Sequence, residues 1–82
     1  MSKYTCGTAF YQNGIVKFQH YYKDGKIHRE GDFPAVIYFC EDGKVEYQSY
    51  FKDDDRHRDG DFPAEISYRK DGSIAAQHYY KD

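Results

Sequence analysis

Eighty-two residues and 9.7 kDa allow one domain and leave no room for a large enzyme core. Ten Tyr, whose hydroxyls want water or a partner, inflate the hydrophobic share, and twelve basic against fourteen acidic residues give a net charge of −2, so neither a basic nucleic-acid arm nor capture by an anionic membrane is expected. The longest apolar run, residues 35–40, is too short to span a bilayer, and no charged-then-apolar secretory signal follows Met1.

In chain order, the first structural signal is Asn13-Gly14, flanked by β-formers over residues 4–12 and 15–22. A polar connector, residues 23–34, follows, and then Asp42-Gly43 between segments 35–40 and 44–51. A second connector, residues 52–63, leads to Asp71-Gly72 between segments 64–69 and 73–80. Asn-Gly and Asp-Gly supply the positive φ of primed hairpin turns, so three hairpins are expected. Around the turns the apolar residues alternate with period two. Ala35, Ile37 and Phe39 share one face, and Ala64, Ile66 and Tyr68 hold the same slots in the last hairpin. The opposite parity is polar there (Glu65, Ser67, Arg69) but apolar in the middle hairpin (Val36, Tyr38, Cys40). No segment carries a sustained 3.6-residue stripe with a cap. The expected fold is all-β: one twisted antiparallel sheet of about three hairpins, with essentially no helix.

The chain is also self-similar. Residues 21–49 align without gaps on 50–78, a period of 29 residues with fourteen identities. The identities include His28/His57, Arg29/Arg58 and the shared Gly-Asp-Phe-Pro-Ala run. Residues 4–20 fit as a partial unit, with Phe10 on Phe39 and Cys6 on Ala35, and residues 79–82 begin a further one. Residues 1–82 are thus expected to form a single repeat domain. The pattern Tyr-Lys-Asp-Gly-Lys-x-His-Arg, Gly-x-x-Pro-Ala, Asp-Gly and a further Tyr resembles the MORN-repeat variant class of bacterial and phage proteins. The resemblance covers residues 21–82 and, more weakly, 4–20; the unit is longer here, and the usual Gly-x-Gly pairs are missing. It implies an elongated, twisted sheet used for protein or lipid contacts, and it carries over no catalytic residue.

Several groups then compete as sites. His28, Arg29, His57 and Arg58 present a repeated cationic pair able to grip phosphate or carboxylate. Ion pairs with Glu30, Asp32, Asp59 and Asp61 explain the same recurrence structurally. No metal site is expected, because residues one period apart lie two strands, about 9–10 Å, from each other. Cys6 and Cys40 fall on opposite faces and are expected as free thiols, in keeping with a cytoplasmic location. No Ser lies in a nucleophile elbow and a single open sheet offers no dry cleft, so neither enzyme activity nor a cofactor is expected. Asp53, Asp54 and Asp55 break the repeat, replacing Asp24, Gly25 and Lys26, and form a candidate acidic patch. Tyr21-Tyr22, Tyr50-Phe51 and Tyr79-Tyr80 recur at the period and are read mainly as packing, with base stacking as the alternative.

A thin sheet with unpaired edges and the Val36/Tyr38/Cys40 stripe calls for a cover, either a connector or another chain. The leading expectation is a non-enzymatic protein-binding module that contacts its partner through Asp53, Asp54, Asp55, Arg56, Arg58, Val36 and Tyr38. Its specific form is a small phage or bacterial inhibitor of a larger host complex, such as a defence nuclease, in the manner of an anti-CRISPR protein. Self-association as a homodimer is expected as well. The alternatives are a nucleotide or anionic-ligand binder using His28, Arg29, His57 and Arg58 with the tyrosines, and a purely structural repeat in an assembly.

Overall fold

A computed structural model describes residues 3–58 and 62–79. It is all-β, as the alternating pattern predicts, with no helix among the described residues. The strands are β1 (Tyr4–Phe10), β2 (Val16–Lys23), β3 (Lys26–Ile27), β4 (Val36–Phe39), β5 (Val45–Ser49), β6 (Phe51–Lys52), β7 (Asp55–Arg56), β8 (Glu65–Tyr68) and β9 (Ile74–His78). One antiparallel sheet runs β1-β2-β4-β5-β8-β9, with β3 attached to β2, while β6 and β7 form a small separate ribbon. The expected hairpins are β1–β2, β4–β5 and β8–β9. Tyr80 of the last one, and the start of a further unit at residues 80–82, lie outside the described residues.

The turn type differs from expectation. At Asp42-Gly43 only Gly43 has positive φ (91°); Gly43 N–H bonds Cys40 O at 2.9 Å and Cys40 N–H bonds Lys44 O at 2.8 Å. That is a type I turn closed by a left-handed glycine bulge, a three-residue loop rather than a primed two-residue one. Asp42 Oδ1 also accepts the Lys44 N–H at 3.0 Å. Asn13-Gly14 and Asp71-Gly72 repeat this arrangement, with Asn13 and Asp71 accepting from Ile15 and Ser73.

The primed turns lie in the connectors instead. Asp24 and Gly25 both have positive φ (50° and 83°) and join β2 to β3; Asp53 and Asp54 (50° and 71°) join β6 to β7. Each connector therefore contains a second, very short hairpin. Backbone bonds recur 29 residues apart around them: Tyr21 and Tyr50 N–H donate to Ala35 and Ala64 O, while His28 and His57 N–H donate to Tyr21 and Tyr50 O.

The sheet is one layer thick. The molecule measures 36 × 29 × 15 Å, and among the described residues the strands outside the main sheet are the two-residue β6 and β7, so no second full sheet packs on it. Principal contacts between strands are those of ladder neighbours, plus β3 against β6. The core is correspondingly small: Ala35, Val36, Ile37, Tyr50, Ala64 and Ile66, with Ser49 as the largest side chain to be completely buried. Val36, expected among the partner contacts, is thus buried within its own chain, one of the two kinds of cover expected for its stripe.

Candidate functional site

The connector end of the sheet gathers most of the sequence-predicted residues. Arg58 leaves the second connector and grips Asp32 of the first, with Nε to Oδ1 at 2.8 Å and Nη2 to Oδ2 at 3.1 Å. Its Nη1 donates to Pro63 O at 3.0 Å, and its guanidinium lies 4.1 Å above the Tyr50 ring. A planar fork that pairs bidentately while it stacks is a role for Arg that Lys cannot fill. Arg58 is therefore a rivet between connectors.

Arg29 makes the same local contacts without the carboxylate. It lies 3.9 Å over the Tyr21 ring and 5.0 Å from that of Phe33, and Nη1 donates to Pro34 O at 3.3 Å. Arg58 and Asp32 are 26 positions apart, and the residue 26 positions before Arg29 is Lys3. No described carboxylate pairs with Arg29, which thus keeps donor capacity. The candidate partners Asp59 and Asp61 lie outside the described residues.

His28 is 6% exposed and joins the two connectors. Asp53 N–H donates to His28 Nδ1 at 3.1 Å, which leaves the ring proton on Nε2, where it bonds Glu30 Oε1 at 3.1 Å. Glu30 also accepts from Tyr4 Oη at 3.0 Å and Lys23 Nζ at 3.2 Å. These bonds, led by that from Tyr4, hold the Glu30 carboxyl below its ordinary range, and Glu30 in turn raises Tyr4 and Lys23.

Arg29, His57 and Arg58 do converge on one open cleft of about 440 Å³, with Phe33, Tyr50 and Lys52 among its walls. His28 lies apart from it, in the neighbouring groove with Tyr4 and Glu30.

The acidic triplet occupies the exposed tip of β6–β7. Asp53 is 64% exposed along its side chain, yet its backbone is tied to His28. Asp54 Oδ1 accepts the Ile27 N–H at 2.7 Å and its own N–H donates to Ile27 O at 2.9 Å. Two of the three residues thus dock the ribbon on β3 and on His28 beside it, while Asp55 is exposed in β7. Arg56 pairs with Glu65 at 3.1 Å, and Glu65 accepts the Tyr47 hydroxyl at 2.7 Å. Burial and then Glu65 push the Tyr47 phenol up.

A second feature lies on one face of the sheet. The ladder sets Phe18 opposite Tyr38 and Tyr38 opposite Tyr47, so three strands present their rings side by side. Ring centroids are 5.7 Å apart for Phe18–Tyr38, 5.8 Å for Tyr38–Tyr47 and 5.7 Å for His20–Tyr38. His20 Nε2 lies 3.3 Å from the Tyr38 hydroxyl, and Tyr22 closes the band at the other side of His20. All five are half-buried. Tyr38 and, as packing, Tyr22 stand out in the sequence as candidates; Phe18, His20 and Tyr47 do not. The available signal was parity across three strands, legible only once the ladder register is known.

Cys6 is exposed and Cys40 half-buried, both as free thiols. Among the described residues no three His, Cys, Asp or Glu side chains cluster as metal ligands, and no helix is long and apolar enough to cross a membrane. Comparison of the chain with family models, with curated proteins and with solved structures found no match.

Proposed function

We propose that this chain is a non-enzymatic protein-binding module, presenting the band of Phe18, His20, Tyr22, Tyr38 and Tyr47 to a larger partner. The observation that carries this reading is a one-layer sheet whose ring-bearing face, among the described residues, has no second full sheet packed on it. Aromatic residues with a polar tip are those that protein interfaces favour, because they bury large area at small entropic cost. The MORN-like pattern favours a contact surface in the same way. In its specific form the module is a small cytoplasmic phage or bacterial inhibitor that occludes a host complex such as a defence nuclease. The exposed Asp53, Asp54 and Asp55 tip suits a basic groove, through steering more than through buried contact.

The test starts with a partner isolated by pull-down from the native host and then purified. Tyr22→Ala and Tyr38→Ala, each confirmed folded by circular dichroism, should weaken its binding by about tenfold or more. Folded variants that bind as tightly as the parent chain overturn the aromatic-face reading. The acidic tip needs a gentler substitution than Ala, because Asp53 and Asp54 hold left-handed backbone and Asp54 accepts a bond. Asn at all three positions keeps turn chemistry and removes charge. Association should then slow and lose its salt dependence; an unchanged salt slope removes the tip from the interface.

A nucleotide or anion reading has its own observation in Arg29. With no described carboxylate it lines the connector cleft beside Arg58, and the exposed Phe33 ring offers a stacking surface. A bound nucleotide must raise the melting temperature by mass action, and Arg29→Ala should remove the shift. A panel of nucleotides without any shift dismisses this alternative.

A further inference from the structure

The outer strands of the sheet lack the charges and prolines that normally keep edges apart. The bulge at Ala75 of β9 recurs at Lys17 of β2 and Glu46 of β5, strands that pair on both sides all the same. β1 reads Tyr-Thr-Cys-Gly-Thr-Ala-Phe and β9 Ile-Ala-Ala-Gln-His, with neither Lys, Arg, Asp, Glu nor Pro in either. The inner strands β2, β5 and β8 each carry a charge. Protective charge is usually placed on edges, so the distribution here is inverted.

The two edges are also complementary by the chain's own internal joints. β2 meets β4 through Phe18↔Tyr38, Gln19↔Ile37 and His20↔Val36. β5 meets β8 through Tyr47↔Ser67, Gln48↔Ile66 and Ser49↔Glu65. The first two pairs of the second joint are those of the first moved by 29 positions on both strands, and so is the third. In the same alignment β9 follows β2 and β5, while β1 precedes β4 and β8.

We infer that β9 of one copy adds to β1 of a second copy, continuing the sheet head to tail. The repeated register sets Ala76 opposite Ala9, Gln77 opposite Thr8, and His78 opposite Gly7 of the neighbour. These pairs fit sterically, since the bulkiest side chain meets the glycine. They also keep each face of the sheet continuous: Ala9 and Gly7 pair with Phe18 and His20 inside β1–β2, on the ring-bearing face. A slip of one residue would reverse the faces. The Tyr79 N–H would meet Cys6 O as Tyr21 meets Ala35 and Tyr50 meets Ala64. Cys6 would then occupy a slot that is completely buried at both internal joints, where Ala35 and Ala64 stand.

Backbone direction identifies a selective variant. Tyr21 N–H points to Ala35, so Tyr22, His20 and Phe18 face β1, and their partners Thr5, Gly7 and Ala9 face back. Thr8 N–H therefore points away from β2. Thr8→Pro deletes an outer donor without deleting one from the β1–β2 ladder.

Each internal joint has only three ladder pairs, so the association should be weak and visible between about 10 µM and about 1 mM in sedimentation equilibrium. Cross-linking decides its geometry. In a Cys6→Ala/Cys40→Ser background, with Ala at position 6 as at both internal joints, Ala9→Cys and Ala76→Cys stand at a pair without mutual hydrogen bonds, close enough for a disulfide. Oxidation of an equimolar mixture should give mixed dimers, and neither variant alone should dimerise efficiently. Thr8→Pro, folded by circular dichroism, should lower the association constant by about tenfold or more. Self-linking of Ala9→Cys alone would show a two-fold β1–β1 dimer and overturn the proposal. A parent chain that stays monomeric across the range, or a folded Thr8→Pro that associates like the parent, overturns it too.

Discussion

Asp54 sits at φ 71°, where the aligned residue of the preceding unit is Gly25 at 83°. A side chain in the left-handed region costs about 1 kcal/mol, less for Asp and Asn than for others. The bond from Ile27 N–H to its carboxylate offsets that cost. Asp54→Ala removes the bond while keeping the Cβ, and should lower stability by about 1–3 kcal/mol in urea unfolding. Asp54→Asn should lose least, and a smaller loss for Ala than for Asn would refute the role. Arg58→Lys forfeits the fork on Asp32 and the stacking on Tyr50, and should cost about 1–3 kcal/mol. Arg29→Lys should cost less, because no described carboxylate is lost. Glu30 sets a pH dependence. Its carboxyl is depressed in the folded chain, so its stabilisation is fully present above the unfolded value of about 4.3 and disappears as pH falls through the lower folded value. Glu30→Gln should flatten the acid limb of melting temperature against pH; an unchanged limb would remove Glu30 as its cause.

At the scale of the element, the turns separate what local sequence specifies from what it leaves open. Asp42-Gly43 announces a turn, but the same dipeptide serves a two-residue primed loop and a three-residue loop with a glycine bulge. Flanking register decides between them, and that is a property of two strands together. The actual primed turns went unread for different reasons. Asp24-Gly25 lies in a polar connector without flanking alternation, and Asp53-Asp54 contains no glycine. The six long strands were legible because period-two patterning and turn residues agree; the three two-residue strands carry too little pattern to show it. Nothing lies within 4 Å of where a Gly43 Cβ would sit, so Gly43→Ala tests backbone conformation alone. It should cost about 1–2 kcal/mol in urea unfolding. A neutral result would contradict the left-handed bulge.

For the molecule as a whole, a small core follows directly from a single layer: each strand buries its side chains only against its neighbours and the connectors. Sequence composition already showed a shortage of aliphatic residues and an excess of tyrosine. It did not show that His28, Arg58 and Asp54 are committed to joining connectors, since those contacts span 25–27 positions and depend on two short hairpins meeting. Their commitment shifts attention from the connector cations to the sheet face. The central claim, that the ring-bearing face receives a protein, is tested most directly by site-specific photo-cross-linking in the native host. A photoreactive phenylalanine analogue at Tyr22 or Tyr47 samples that face, and at Tyr68 it samples the other, since Tyr68 bonds Gln48 there. The account predicts one discrete protein adduct from positions 22 and 47 and none from position 68. Equal adducts from both faces, or none from the ring-bearing face, would contradict it.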